Sequence, residues 1–355
     1  MSPIGKIGMS MTLATLWLCA SASQGTAQTY TITDLGALAG ESVSQAYALN
    51  NAGEVAGDSS APTGATATMF SGGKTTNVSP DGSNENFISE ATAINSSGEI
   101  AGWSFEETSV VETLPQPFIY SNGSVQIINT STLFPFGATP TGINDSGEVV
   151  GTGEPSSDIS NAFLYSGSKI TILEPSETVG TSASAINASG QIVGNYYSST
   201  SGAAGTFLYT NGSMTTIPNP ANSIEAIGDA INANGEIVGE LYPTAGGAHA
   251  AKFSGGVWTD LGNLTGAVAS HATAVNTAGE IVGTAIFPPI YKPSRPGKHV
   301  PFISTTAGLV NLNTLIPSGS GFTLTDAVAI NVSGQILCDA TNASGHEHAV
   351  LLSLK

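Results

Sequence analysis

The chain reads as an all-β fold, a seven-bladed β-propeller of four-stranded antiparallel blades, and three observations carry that reading. A motif of the form Ala-x-Ala-(Ile/Leu/Val)-Asn-x-x-Gly-(Glu/Gln)-(Ile/Val)-(Val/Ala)-Gly recurs seven times. Its Asn falls at Asn50, Asn95, Asn144, Asn187, Asn232, Asn276 and Asn331, with spacings of 45, 49, 43, 45, 44 and 55 residues, the length of one propeller blade. The two ends are complementary: a lone strand, Tyr30 to Gly36, precedes the first repeat, and a lone strand, His348 to Leu354, follows the last. Pairing them closes the ring and removes the two sheet edges that a linear array would expose. An open solenoid would instead need atypical capping repeats at its ends.

Each motif has the chemistry of a hairpin. In the fourth copy, Ala183 to Asn187 is a short run of small and β-branched residues, Asn187 to Gly190 is a turn, and Gln191 to Gly194 starts the next strand. Asn bonds neighbouring amides with its own side chain, and Gly takes positive φ without steric cost. A second hairpin follows, as in Pro117 to Tyr120 turning through Ser121-Asn122-Gly123 into Val125 to Ile128. The four strands are called a, b, c and d in chain order. Strand a is placed innermost, because its small residues suit the crowded axis of a seven-membered ring.

Composition agrees with a turn-rich, secreted chain. There are 43 Gly in 355 residues, 8 Lys and Arg against 26 Asp and Glu, and a formal charge of −18. Nucleic acid and anionic lipid need clustered cations, so both are excluded as partners. Residues 1–28 carry Lys6, an apolar stretch from Met9 to Ala20 and small-residue cleavage positions at Ala22 and Ala27, which read as a secretory signal peptide. Residues 29–355 form a single propeller domain, taken as a monomer, with no later stretch suited to membrane insertion. Beyond the leader, Cys338 is the only thiol, in place of the Gly that ends the other six motifs, and it reads as a buried structural residue.

The repeats resemble the probable extracellular repeat of the HAF family, in which His-Ala-Phe opens strand c and the Asn-x-x-Gly motif forms the a–b hairpin. Ala272 to Gly283 matches the hairpin half closely, whereas His249-Ala250, His348-Ala349, Ala162-Phe163 and Pro117-Phe118 keep only parts of the other. The resemblance implies a bacterial, secreted protein with propeller-like repeats and brings no common activity.

With the chain running a, b, c, d outward, the b–c and d–a loops share one end of the propeller and the tight a–b and c–d turns the other. The b–c loops vary most, and variable loops on a rigid scaffold are where binding concentrates. They hold Trp103, Phe105, Tyr196, Tyr197, Tyr242, Phe287 and Tyr291, rings suited to sugar faces or to anchoring a protein, against packing between blades as the other reading. The longest insertion, Ile286 to Val300, adds Lys292, Arg295 and Lys298, a cationic loop for a ligand carboxylate or phosphate, or else a solvated loop.

Glu54, Glu99, Glu148, Glu236 and Glu280, with Gln191 and Gln335, form a symmetric ring. It could hold Ca²⁺, but exchange with Gln favours a hydrogen bond to the turn. His346 and His348 lack an evident third metal ligand. No cofactor and no catalytic residue is assigned, since no nucleophile elbow, phosphate-binding loop or zinc helix occurs. The expectation is a secreted binding or scaffolding propeller for polysaccharide or an extracellular protein. The alternatives are a glycan hydrolase or lyase using axial acids such as Asp58, Glu240 and Asp339, and a structural component of the cell envelope or matrix.

Overall fold

The fold is described from a computed structural model, which covers residues 29–355 apart from 62–63, 83–86, 108–112, 175–179, 199–201, 203 and 290–296. Seven four-stranded antiparallel sheets succeed one another along the chain. Blades 1 to 6 span residues 43–77, 87–127, 138–173, 180–217, 223–262 and 269–311. Blade 7 takes strands a, b and c from Phe322–Ile330, Ile336–Asn342 and Glu347–Leu354, and its strand d is the N-terminal Tyr30–Asp34. Tyr30 pairs with Leu354 and Asp34 with Val350, so the expected closure is present.

The turns explain why these residues form strands of this length. At the c–d turns of blades 2 and 4 both central residues have positive φ: Asn122 and Gly123 at 51° and 79°, Asn211 and Gly212 at 51° and 82°. This is the two-residue geometry whose twist matches antiparallel strands. At each a–b turn the Asn side-chain oxygen accepts two main-chain N–H groups, as Asn187 Oδ1 does from Ser189 and Gln191, both at 3.0 Å.

Packing is distributed over seven apolar clusters, one in each seam between neighbouring blades. The seam between blades 3 and 4, for example, buries Val150, Ala162, Leu173, Ala183, Ile192 and Phe207. The Gly that ends the motif has a steric role in this packing. A Cβ on Gly194 would lie 2.2 Å from the Ser182 carbonyl oxygen and 2.4 Å from the Phe207 ring. In blade 7 Val350 replaces the ring opposite this position, and Cys338 fits there, fully buried. Burial and the nearby Asp339 and Asp326 carboxyls push its thiol well above the ordinary range, in keeping with a structural role.

Candidate functional site

The axis has two ends with opposite character. At the a–b end the seven motif Asn residues surround a shallow cavity of about 290 Å³, floored by Leu49, Ile94, Ile143, Ile186, Ile231, Val275 and Ile330. Their amides are already committed. Asn50 Nδ2 donates to Glu54 at 2.8 Å and to the Asn95 carbonyl of the next blade at 3.1 Å. Equivalent bonds to the next blade's carbonyl start from Asn95, Asn187, Asn232, Asn276 and Asn331.

The expected carboxylate ring is part of this framework. Glu99 accepts from Asn95 and from Ser121, and Gln191 takes the same bond from Asn187. The head group of each acid or amide also faces the turn Gly of the following blade, as Glu54 does Gly98. The side chains at this end therefore hold the ring together and leave little hydrogen-bonding capacity for a ligand.

The b–c end is built differently. The register pairs the residue after the strand-b Gly, or after Cys338 in blade 7, with a strand-a residue in every blade. The pairs are Gln45 with Asp58, Glu90 with Trp103, Thr139 with Thr152, Ser182 with Asn195, Ile227 with Glu240, His271 with Thr284, and Asp326 with Asp339. Acids gather in blades 7, 1 and 2, with a second group of Asp229, Glu240 and Glu225 in blade 5. Among the described residues Lys298 is the only Lys or Arg at this end, and its side chain is exposed at the start of strand c. Lys74, Lys169, Lys252 and Lys355 lie toward the a–b end, where Lys252 pairs with Glu236 at 2.6 Å.

Burial and mutual repulsion raise the proton affinity of these acids. Burial, then the Asp58 charge, pushes Glu90 up to about 7, against a hydrogen bond from Trp103. Burial and Glu240 push Asp229 up to about 7. Asp339 also rises to about 7 through burial, despite a hydrogen bond from the Ala46 amide, with Asp326, Glu347 and Asp58 adding to the rise. The Tyr47 hydroxyl is driven above its ordinary range by burial and by Asp58 and Glu90.

The aromatic candidates divide. Trp103 and Phe105 stack at 5.7 Å, and Phe105 borders a cleft of about 380 Å³ with Phe87, Leu114 and Val125. Tyr242 donates to Glu240 at 2.7 Å, which ties it to the blade 5 acids. Tyr197 is 53% exposed, whereas its neighbour Tyr196 packs against the blade 3–4 cluster and Phe287 against the blade 5–6 cluster. Tyr291, Lys292 and Arg295 lie outside the described residues.

Glu90 and Asp229 were not singled out from sequence. The available signal was a charged residue inside an inner strand otherwise made of small and apolar side chains. His348 spends Nδ1 on Asp34 at 2.9 Å and Nε2 on Asn342 at 3.2 Å, which leaves it no free nitrogen for a metal.

No family model and no curated protein matches the chain. Solved structures similar to it are propellers. The β-propeller domain of the Trilobed protease from Pyrococcus furiosus, described as having an open velcro topology, has a TM-score of 0.52 at 9% identity, over 89% of this chain and 95% of that one. A structure of YCF48 bound to D1 peptide has a TM-score of 0.52 at 12% identity, over 92% and 95%. TolB from Acinetobacter baumannii has a TM-score of 0.45 at 14% identity, and the chain spans 60% of its length. At these identities the likeness shows the fold alone. No helix among the described residues is long and apolar enough to cross a membrane.

Proposed function

We propose that the protein is a secreted or surface-associated binding module of the HAF type, which docks a protein partner on its b–c end through a basic segment of that partner. The observation that carries this reading is the set of confined carboxyls at the axis of the b–c end, where Lys298 is the only Lys or Arg among the described residues. A cation from a partner would relieve their mutual repulsion and would be steered in by the charge of −18. Tyr197 and the Trp103–Phe105 stack, on the same end, supply rings for contact around the axis. YCF48, a propeller of comparable extent, was solved with a peptide bound. A neutral polysaccharide would gain nothing from the charge. The leader-like residues 1–28 support export, and the HAF-type motif supports an extracellular setting.

The test is a random peptide display panned against the purified protein, with hydrogen exchange mapping of the ligands that survive. Ligands enriched in Lys and Arg that protect the b–c ends of blades 7, 1 and 2 are the expected result. Protection confined to the a–b end, or no enrichment, would overturn the reading.

One observation favours a second reading. Asp229, held at about 7 beside Glu240, has the character of a general acid placed near another carboxyl, the arrangement used to cleave glycosidic bonds. Release of reducing ends from polysaccharide, abolished by Asp229→Asn, would establish that activity in place of simple binding.

A further inference from the structure

In three blades the strand-b residue that follows the motif Gly, or Cys338 in its place, bridges to the next blade. Asn195 bonds both the amide and the carbonyl of Gly228, each at 3.1 Å, and Thr284 accepts the Ala327 amide at 3.3 Å. Asp339 accepts the Ala46 amide at 3.1 Å. Asp58 stands at the same position and makes no such bridge. It is only 2% exposed, its Oδ2 accepts from Ser60 at 2.7 Å, and its Oδ1 has no donor. The Tyr47 hydroxyl is the one donor shared between this carboxyl and Gln45 Oε1, 3.2 Å from the latter, so its single proton cannot satisfy both. Oε2 of Glu41, a carboxylate whose charge interacts with that of Asp58, is likewise buried without a donor. A buried acceptor left unpaired is costly, and natural structures fill such sites with a donor.

The flanking groups are also short of donors. Glu90, on strand a of blade 2, receives the Trp103 indole, and Asp339, on strand b of blade 7, receives one amide. Glu90 and Asp339, on the blades either side, each feel the Asp58 charge, and Tyr47 and Trp103 bond the Asp58 and Glu90 carboxyls. Among the described residues no three His, Cys, Asp or Glu are disposed to hold a metal ion. Carboxyls beside aromatic rings suit an organic cation, which can bond the oxygens and lie against a π-system at once.

We propose that this group of carboxyls takes up a single ammonium or guanidinium side chain of a protein partner, with Asp58 Oδ1 as its central acceptor and Glu90 and Asp339 flanking it. The assignment rests on the b–c end being the docking face and adds the chemical group that is read there.

Calorimetry with the tripeptides acetyl-Gly-Lys-Gly-amide, acetyl-Gly-Arg-Gly-amide and acetyl-Gly-Gln-Gly-amide tests it and separates the two cations. One of the cationic peptides should bind with a stoichiometry of one, and the neutral one should not. Binding at neutral pH should release protons, measured in buffers of different ionisation enthalpy. Glu90 and Asp339 hold part of theirs in the free protein, where Glu41, Tyr47, Asp58, Asp326 and Glu347 surround them.

Asp58→Asn should weaken binding about tenfold or more through loss of a charge-assisted bond. Glu90→Gln, at a half-buried position, gives a second variant should Asn at 58 disturb the fold. Glu54→Gln at the other end should change nothing. Equal binding of the Gln peptide, unchanged affinity in both Asp58→Asn and Glu90→Gln, or stoichiometric displacement of the cationic peptide by calcium chloride would overturn the assignment. Display ligands that map to the b–c end but lack Lys and Arg would refute the assignment and leave the docking face standing. Absence of any ligand there would remove both.

Discussion

Asn331 donates its side-chain amide to the main-chain carbonyl of Asn50 across 3.2 Å, although 281 residues separate the two in the chain. This bond joins the last repeat to the first, and it is the same bond that Asn50 makes to Asn95 within the array. The ring is therefore closed twice, at the rim by Tyr30–Asp34 pairing with strand c of blade 7 and at the axis by an amide.

Replacing Asn331 by Ala should lower stability by about 2–4 kcal/mol, because the amides of Ser333 and Gln335 lose their acceptor and the Asn50 carbonyl loses a donor. Asp substitutions separate the bonds further. At Asn95 an Asp would face the Glu99 carboxylate, 2.8 Å away, whereas at Asn187 the partner is Gln191, whose amide can turn to donate. Urea unfolding should show the Asn95→Asp protein to be the less stable of the two. Equal stabilities would mean that the ring amides do not govern the turn.

The ring was half legible in the sequence. Asn-x-x-Gly announces its own turn, since Asn Oδ1 caps amides two and four residues on, and that local chemistry repeats in every copy. The second use of the same Asn crosses to the next blade, and nothing in one repeat encodes a contact made with its neighbour. The exchange of Glu for Gln at residues 191 and 335 did point to a neutral hydrogen-bonding role, which Asn187 and Asn331 fulfil. At the site, loop variability drew attention to rings such as Tyr196 and Phe287, which pack inward. Glu90 and Asp229 occur on the more regular inner strand, where a motif reader sees only spacing.

Gly194→Ala should cost about 3 kcal/mol or more, since the new Cβ meets the Ser182 carbonyl and the Phe207 ring and neither can withdraw from a packed seam. Combining it with Phe207→Val copies the Cys338–Val350 arrangement of blade 7 and should return part of the loss. Thermal unfolding of the single and double variants decides the matter. An additive outcome would show that the carbonyl contact alone sets the cost.

Tyr196 and Tyr197 are adjacent but differ in what they touch. Tyr196 packs on the blade 3–4 cluster with its hydroxyl near Gly205, so Tyr196→Ala should cost about 2 kcal/mol. Tyr197 is 53% exposed, and its replacement should fall within about 0.5 kcal/mol of the parent. Denaturant titration checks both, and only Tyr197→Ala is then a clean probe of partner binding.

Stability should decrease as pH rises from about 4 to about 7 wherever the axial acids dominate. Glu90, Asp229 and Asp339 retain protons in the folded protein up to about 7, whereas the unfolded chain surrenders them near the ordinary carboxylate values of 4.5 and 3.8. Across that window the native state binds more protons than the unfolded state, so each pH increment favours unfolding. Below the unfolded values both states are protonated and the stabilisation is complete; above about 7 both are ionised and the slope vanishes. Each fully coupled group contributes at most about 1.4 kcal/mol per pH unit, and less at half-exposed Glu90, where water screens the charge. Glu236 opposes the trend, because Lys252 lowers its proton affinity, but that partly exposed pair, screened by water, contributes little. Melting at pH 5, 6, 7 and 8 should give a falling midpoint that levels off at the top of the range, and the triple variant Glu90→Gln, Asp229→Asn, Asp339→Asn should flatten the curve. A midpoint that rises with pH would mean that these carboxyls are ionised in the native state and already paired with a cation.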